Sequence, residues 1–209
     1  MIKPIKIGAL AIAGALALAA CSGGSDSAGG DVLVVGTDLP LQGASADASK
    51  STNEVAALVL EQAGGKAGDF TVEIKEYDDS TAAKGAWDDA ACAKNAQDHV
   101  ANVDQVAVMG TYNSGCAKII IPVLNQAGML MISHANTYPG LTVEWDKGEP
   151  GLYYPSGARN YARVIAHDGF QGTAAAQFLF NEQGVKNLAV LDDTQAYGTG
   201  IADAVQKEF

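Results

Sequence analysis

The sequence predicts an α/β protein built on parallel sheet, and three observations carry that prediction. From Asp31 onward, short β-branched apolar runs alternate with alanine-rich helical patterns, the mark of parallel strands joined by crossover helices. Two of those runs end in polar loops at corresponding positions, residues 110–115 and 133–137. In an open parallel sheet such loops lie side by side beyond the carboxyl ends of the strands, where small ligands bind. The alternation then breaks at residues 144–151, a turn-rich polar excursion, and resumes beyond it. Residues 31–165 are therefore expected to form a first α/β lobe with its crossover, and residues 166–209 the start of a second.

Strands are expected at residues 32–36, 70–77, 106–109, 129–132 and 188–191. Ser51 and Glu54 have capping-box spacing, Val55, Leu58, Val59 and Gln62 follow on one helical face, and Gly64 with Gly65 supply a stop, which predicts the first helix. A second helix is expected over about residues 81–102, with Ala83, Trp87, Ala90 and Ala91 on its buried side. Trp87 is either core there or a platform for a ligand. The third, residues 115–127, contains Pro122, which removes one backbone hydrogen bond and bends the helix, and Gly128 ends it. Residues 163–168 read as an extended crossing, 171–182 as a helix and 193–200 as a loop. A final helix starts near Gly200 and still runs at Phe209 without a capping signal, so the chain is expected to stop inside its second lobe.

Ahead of the first strand, Lys3 and Lys6 precede an apolar stretch over residues 7–20 that is too short to span a bilayer permanently. It reads as an export signal. Leu18, Ala19, Ala20 and Cys21 have the pattern of a lipoprotein cleavage site, which would make Cys21 a lipidated first residue anchored to the membrane. Residues 21–30 are small and polar, the composition of a flexible tether. The formal net charge is −11, and no basic run is present, so nucleic acid is excluded as a partner.

Cys92 and Cys116 remain as a candidate disulfide in an extracytoplasmic chain, with two buried free thiols as the alternative. No histidine lies at ligand spacing from either, so no metal and no cofactor are expected. Hydrolytic chemistry finds little support. Asn113, Ser114 and Gly115 lack the glycine that a nucleophile elbow needs at Tyr112, and His99, His134 and His167 show no local spacing to a partner acid. Ser114 and Thr137 are expected at exposed loop ends with their hydroxyls converging on one volume.

The lipidation site, Leu39 to Gly43 after the first strand, Asp78 and Asp79 after the second, residues 110–114, 132–142 and 193–200 fall in an order that resembles the branched-chain amino-acid-binding protein family. These are type I periplasmic solute receptors of ABC importers. The resemblance implies two Rossmann-like lobes joined by a hinge, with a small solute clamped between them and passed to an importer permease. It implies a ligand carboxylate held by Ser114 and the following backbone amides, an ammonium group held by the Ala135 carbonyl and the Thr137 hydroxyl, and Tyr197 closing over the ligand. Asp168 lies in the crossing, where it faces the cleft or serves the hinge. The chain departs from the family at His134 and Asn136 and in the length of residues 144–154. The resulting expectation is a monomeric receptor for a branched-chain or related amino acid that catalyses nothing; the other readings are the sensing domain of a receptor and a lipoprotein hydrolase.

Overall fold

The computed structural model describes residues 32–209. The export signal, Cys21 and the tether lie outside the described residues.

One six-stranded sheet organises the chain. Its strands are β1 (Val32–Leu39), β2 (Lys66–Ala67), β3 (Phe70–Asp78), β6 (Gln105–Gly110), β7 (Leu130–Ser133) and β8 (Tyr161–Arg163), and they lie in the order β2-β3-β1-β6-β7-β8. Every pair is parallel except β2 with β3. A separate two-stranded hairpin pairs β4 (Ser80–Thr81) with β5 (Ala86–Trp87). The helices are α1 (Ala46–Gln62), α2 (Asp89–Ala101), α3 (Ser114–Gln126), α4 (Asp168–Gln177), which continues into a π-helical turn (Phe178–Glu182), and α5 (Ala196–Glu208).

The core sits between one face of the sheet and helices α2 and α3. Cys92 and Ala96 from α2, Cys116, Ala117, Ile120, Ile121 and Leu124 from α3, and Val108 and Met131 from the sheet are all buried there. Pro122 sits inside α3 without ending it, and Gly128, at φ +69°, turns the chain directly into β7. Cys92 and Cys116 form a disulfide, with Cα atoms 5.6 Å apart, that ties the first turns of α2 and α3 together.

Several expectations are corrected here. The first helix begins at Ala46, not at a Ser51 cap, because a 3-10 turn at Gly43–Ser45 already winds the chain into it. Its buried residues are Ser49 and Asn53, whereas Val55, Leu58 and Val59 stay exposed, Val55 and Val59 lining a groove of about 650 Å³ that β3 also borders. The second helix begins at Asp89. Asp88 is its cap, accepting the N–H groups of Ala90 and Ala91, so residues 80–87 are free to form the hairpin, and Ala83 and Ala90 face solvent. Residues 188–191 make no strand, because no neighbouring strand among the described residues offers them a ladder, and Leu191 is exposed. The final helix takes in residues 196–200, expected as loop, and part of the expected crossing is β8, paired in parallel with β7.

Two buried polar clusters supplement the apolar core. His99 Nε2 lies 2.8 Å from Asp38 Oδ2, and Gln105 Nε2 2.7 Å from His99 Nδ1, so this histidine does have a partner acid, 61 residues away, and both its ring nitrogens are engaged within the core. Glu149 accepts from Tyr138 Oη and Tyr153 Oη, at 2.9 and 2.6 Å, and pairs with Lys118 at 3.3 Å, which pins the polar excursion to α3.

The disulfide closes a loop with a sequence separation of 24. In the chain-entropy account such a loop stabilises the fold by about 3 kcal/mol. Replacing both cysteines with alanine should lower the unfolding free energy measured in urea by about that amount while leaving the far-UV dichroism of the folded chain unchanged.

Candidate functional site

The parallel pairing of β6 with β7, in which Met109 lies opposite Ile132, sets the two polar loops beside one another. Side chains then stake them together. Ser133 Oγ donates to the Thr111 carbonyl at 2.9 Å and accepts the N–H groups of Ala135 and Asn136. Asn136 Nδ2 donates back to the carbonyls of Thr111 and Tyr112, at 2.9 and 3.1 Å, and its Oδ1 accepts from Tyr161 Oη. From β8, the Arg163 guanidinium donates to the carbonyls of Asn136, Tyr138 and Pro139 at 2.8 to 3.2 Å.

Between these loops and the second part of the chain lies a cavity of about 370 Å³. Ser114, Ala135, Thr137 and Tyr197 all line it, together with Tyr112, Asn113, His134, Ile165 and Gln171. The size falls in the range of small-ligand sites. Asp168 is not in this wall: it is fully buried at the start of α4, and its N–H donates to the Thr137 carbonyl at 2.8 Å.

Ser114 and Thr137 are not exposed loop ends. They are 2% and 8% exposed, because Ser114 Oγ accepts the N–H groups of both Thr137 and Tyr138, each at 3.2 Å. A serine hydroxyl has two acceptor positions and one donor. With both acceptor positions occupied, the capacity left to Ser114 is to donate, and it needs an acceptor such as a carboxylate oxygen. Ser114 also opens α3, whose first N–H groups have no intrahelical acceptor and carry the positive end of the helix dipole. The Asn113 side chain does not cap them. An anion is stabilised at such a place without a buried cation.

Gly115, the next residue, is required by a close approach: a Cβ there would stand 2.4 Å from the Trp87 ring. Trp87 thus packs at the edge of the core, and its indole N–H donates to Gln195 at 2.8 Å, just ahead of α5. On this flank of α3 a second cavity, of about 770 Å³, is bordered by Lys84, Lys118 and Trp87.

Unsatisfied polar atoms concentrate at the site. Half of the buried side-chain nitrogens and oxygens without a partner among the described residues belong to Asn113, His134, Thr137 and Asp168. Burial lowers the pKa of His134, which favours its neutral ring, and burial raises that of Asp168 against the opposing pull of Arg163. Of the lining residues, Asn113, His134, Ile165 and Gln171 were not expected from the sequence to contact a ligand. Nothing marks them there except neighbourhood to Ser114, to Ala135 and to the crossing.

Comparison with known proteins follows the same outline. A family model described as a periplasmic binding protein matches residues 33–209. A Leu/Ile/Val-binding protein homolog from Brucella melitensis is 29% identical over 204 residues, 93% of this chain and 48% of the relative. A branched-chain amino acid transporter substrate-binding protein from Streptococcus pneumoniae, solved with isoleucine, superposes with a TM-score of 0.67 at 19% identity, over 85% of this chain and 47% of that one. A solute-binding protein of an ABC transporter from Rhodopseudomonas palustris, solved with 3,4-dihydroxybenzoic acid, does so with a TM-score of 0.69 at 18% identity, over 86% and 44%. The chain spans about half the length of the curated relatives that match most of it.

Two outcomes test this geometry. Ser114→Ala strands two buried N–H groups and should destabilise the chain by about 1–3 kcal/mol in urea unfolding. Asp168 holds its proton more tightly when folded than when unfolded, so its contribution to stability is full at low pH and is lost as pH rises from 3.8 through the raised folded value. Asp168→Asn keeps the shape without the charge, and its stability should gain on the wild type across that window in urea titrations run at stepped pH.

Proposed function

The chain belongs to the periplasmic binding protein family and has its type I fold, and from that premise we propose that it is an extracytoplasmic receptor for a small carboxylate-bearing solute, delivering it to an ABC importer. The observation that carries this reading is the start of α3, where Ser114, left with a hydroxyl proton to donate, lines the 370 Å³ cavity and Asn113 does not cap the helix's first amides. These groups take the carboxylate. For a branched-chain or related amino acid, the Ala135 carbonyl and the Thr137 hydroxyl, which has no partner among the described residues, accept from the ammonium group. Asp168, one hydrogen bond behind Thr137, places an acidic group on that same side. Tyr197, in the first turn of α5 and about half exposed, closes over the ligand.

In this reading residues 31–165 form the first lobe with its crossover and residues 166–209 begin the second, and capture shifts the population toward a closed form that the permease recognises. Cys21 carries the lipid that holds the receptor at the membrane. The site binds and releases without covalent chemistry: His99 is saturated within the core, and Ser114 uses its lone pairs on backbone N–H groups rather than as a nucleophile.

One observation favours a second ligand class. Tyr112, His134 and Tyr197 give the cavity three aromatic walls, which suit a flat aromatic acid held by the same carboxylate site. The Rhodopseudomonas palustris neighbour was solved with such a compound.

Calorimetric titration of the full chain with leucine, isoleucine, valine and hydroxylated benzoates distinguishes the two. One class should bind; Tyr197→Ala should weaken either, whereas Thr137→Val should weaken an amino acid by about tenfold or more, as for one hydrogen bond of roughly 1.5–3 kcal/mol to its ammonium group, and spare a benzoate, which has none. Equal affinity of wild type and both variants for a solute that does bind would remove these residues from the site.

A further inference from the structure

Outside the ligand cavity, one buried carboxylate has no evident use. Asp79 follows β3 directly, and its backbone is fixed on both sides: its N–H donates to the Leu39 carbonyl at 3.2 Å, and its carbonyl accepts from the Asp88 N–H at 2.7 Å. Its side chain is fully buried, and neither carboxylate oxygen has a hydrogen-bond partner among the described residues. A buried, unpaired carboxylate is costly and calls for a physical reason, of which a bound cation is one. Asp79 faces the disulfide: a carboxylate oxygen and the sulfurs of Cys92 and Cys116 all lie within 4.8 Å of one another, and all three residues are fully buried.

We propose that reduction of the Cys92–Cys116 disulfide turns this cluster into a binding site for one thiophilic divalent cation of the zinc type, held by the two thiolates and the Asp79 carboxylate. A dithiol supplies the two electrons and two protons that open the disulfide and is itself oxidised to a disulfide. The cation then displaces the thiol protons, and the carboxyl proton where present, to solvent. The distances suit the chemistry. Zinc binds thiolate sulfur at about 2.3 Å and carboxylate oxygen at about 2.0–2.2 Å, so tetrahedral ligand atoms stand roughly 3.5–4 Å apart. The two cysteine Cα atoms, 5.6 Å apart, already bring the sulfurs within that reach. Soft thiolates favour zinc over magnesium or calcium. The fourth position is left to water. Spacing along the chain does not reveal this site, because its third ligand comes from the end of a strand rather than from a neighbouring histidine.

The test uses cobalt(II) as an absorbing stand-in for zinc. The full chain is reduced anaerobically with a phosphine until both Cys92 and Cys116 alkylate in a withdrawn sample, and one equivalent of cobalt is added. The reduced wild type should develop a thiolate-to-cobalt charge-transfer band that saturates at one cation and is abolished by excess zinc. The oxidised protein and Cys116→Ser should show none, and Asp79→Asn should bind about tenfold or more weakly, as loss of a supporting group at a metal site does. Asp79 makes no side-chain hydrogen bond among the described residues, so the variant is expected to fold, and near-UV dichroism checks this. X-ray absorption of the zinc-loaded wild type provides a second readout that needs no variant, with two sulfur and two light-atom neighbours expected. A disulfide that resists reduction in the folded chain, no band at one equivalent, one sulfur neighbour or none at zinc, or equal binding by folded Asp79→Asn would each overturn the proposal.

Discussion

The parallel pairing of β6 with β7 is the constraint on which the site depends. Its register places residue 109 beside residue 132, so the loops that follow the two strands emerge side by side with no room to diverge. The part of the cavity wall that these loops supply is then shaped by hydrogen bonds between them. Ser133 and Asn136 bridge to the carbonyls of Thr111 and Tyr112, and Ser114 bridges back to the N–H groups of Thr137 and Tyr138. Arg163 fastens the outer side from β8, the strand paired next in order. Loop residues become precise positions because a sheet register fixes where they start and buried polar side chains fix where they go.

Stability and binding draw on different atoms of the same residues. The lone pairs of Ser114 serve the fold, and in the proposed reading its proton serves the ligand. Thr137 gives its N–H and carbonyl to Ser114 and Asp168 while its hydroxyl oxygen goes unused. The unpaired oxygens of Asn113 and Asp168 and the ring nitrogens of His134 add to the same local deficit. Such a concentration of unmet hydrogen bonding is unfavourable for the ligand-free protein. It is the form a site takes when part of its bonding is completed by what it binds.

Much of the fold was legible in the sequence, because alternating apolar runs and helical patterns are local signals. The strands around Val34, Ile74, Val108 and Met131 and the loops holding Ser114 and Thr137 follow from them. What escaped depends on distance along the chain. His99 appears partnerless until β1 brings Asp38 beside it, and Glu149 reads as part of a solvated turn until three side chains enclose it. The apolar run at residues 188–191 has strand composition but no ladder to join, and composition alone does not make a strand. The exposure of Ser114 and Thr137 was misjudged for a related reason: loops usually run over the surface, and here the staking that buries them joins residues more than twenty positions apart.

The central claim is that a carboxylate is held by Ser114 and the amino end of α3. A crystal structure of the full chain with the tightest-binding solute of the panel tests it most directly. The account predicts a carboxylate oxygen within hydrogen-bonding distance of Ser114 Oγ and of the first backbone N–H groups of α3. A ligand whose carboxylate instead rests against Lys84 and Lys118 on the other flank of that helix would contradict it.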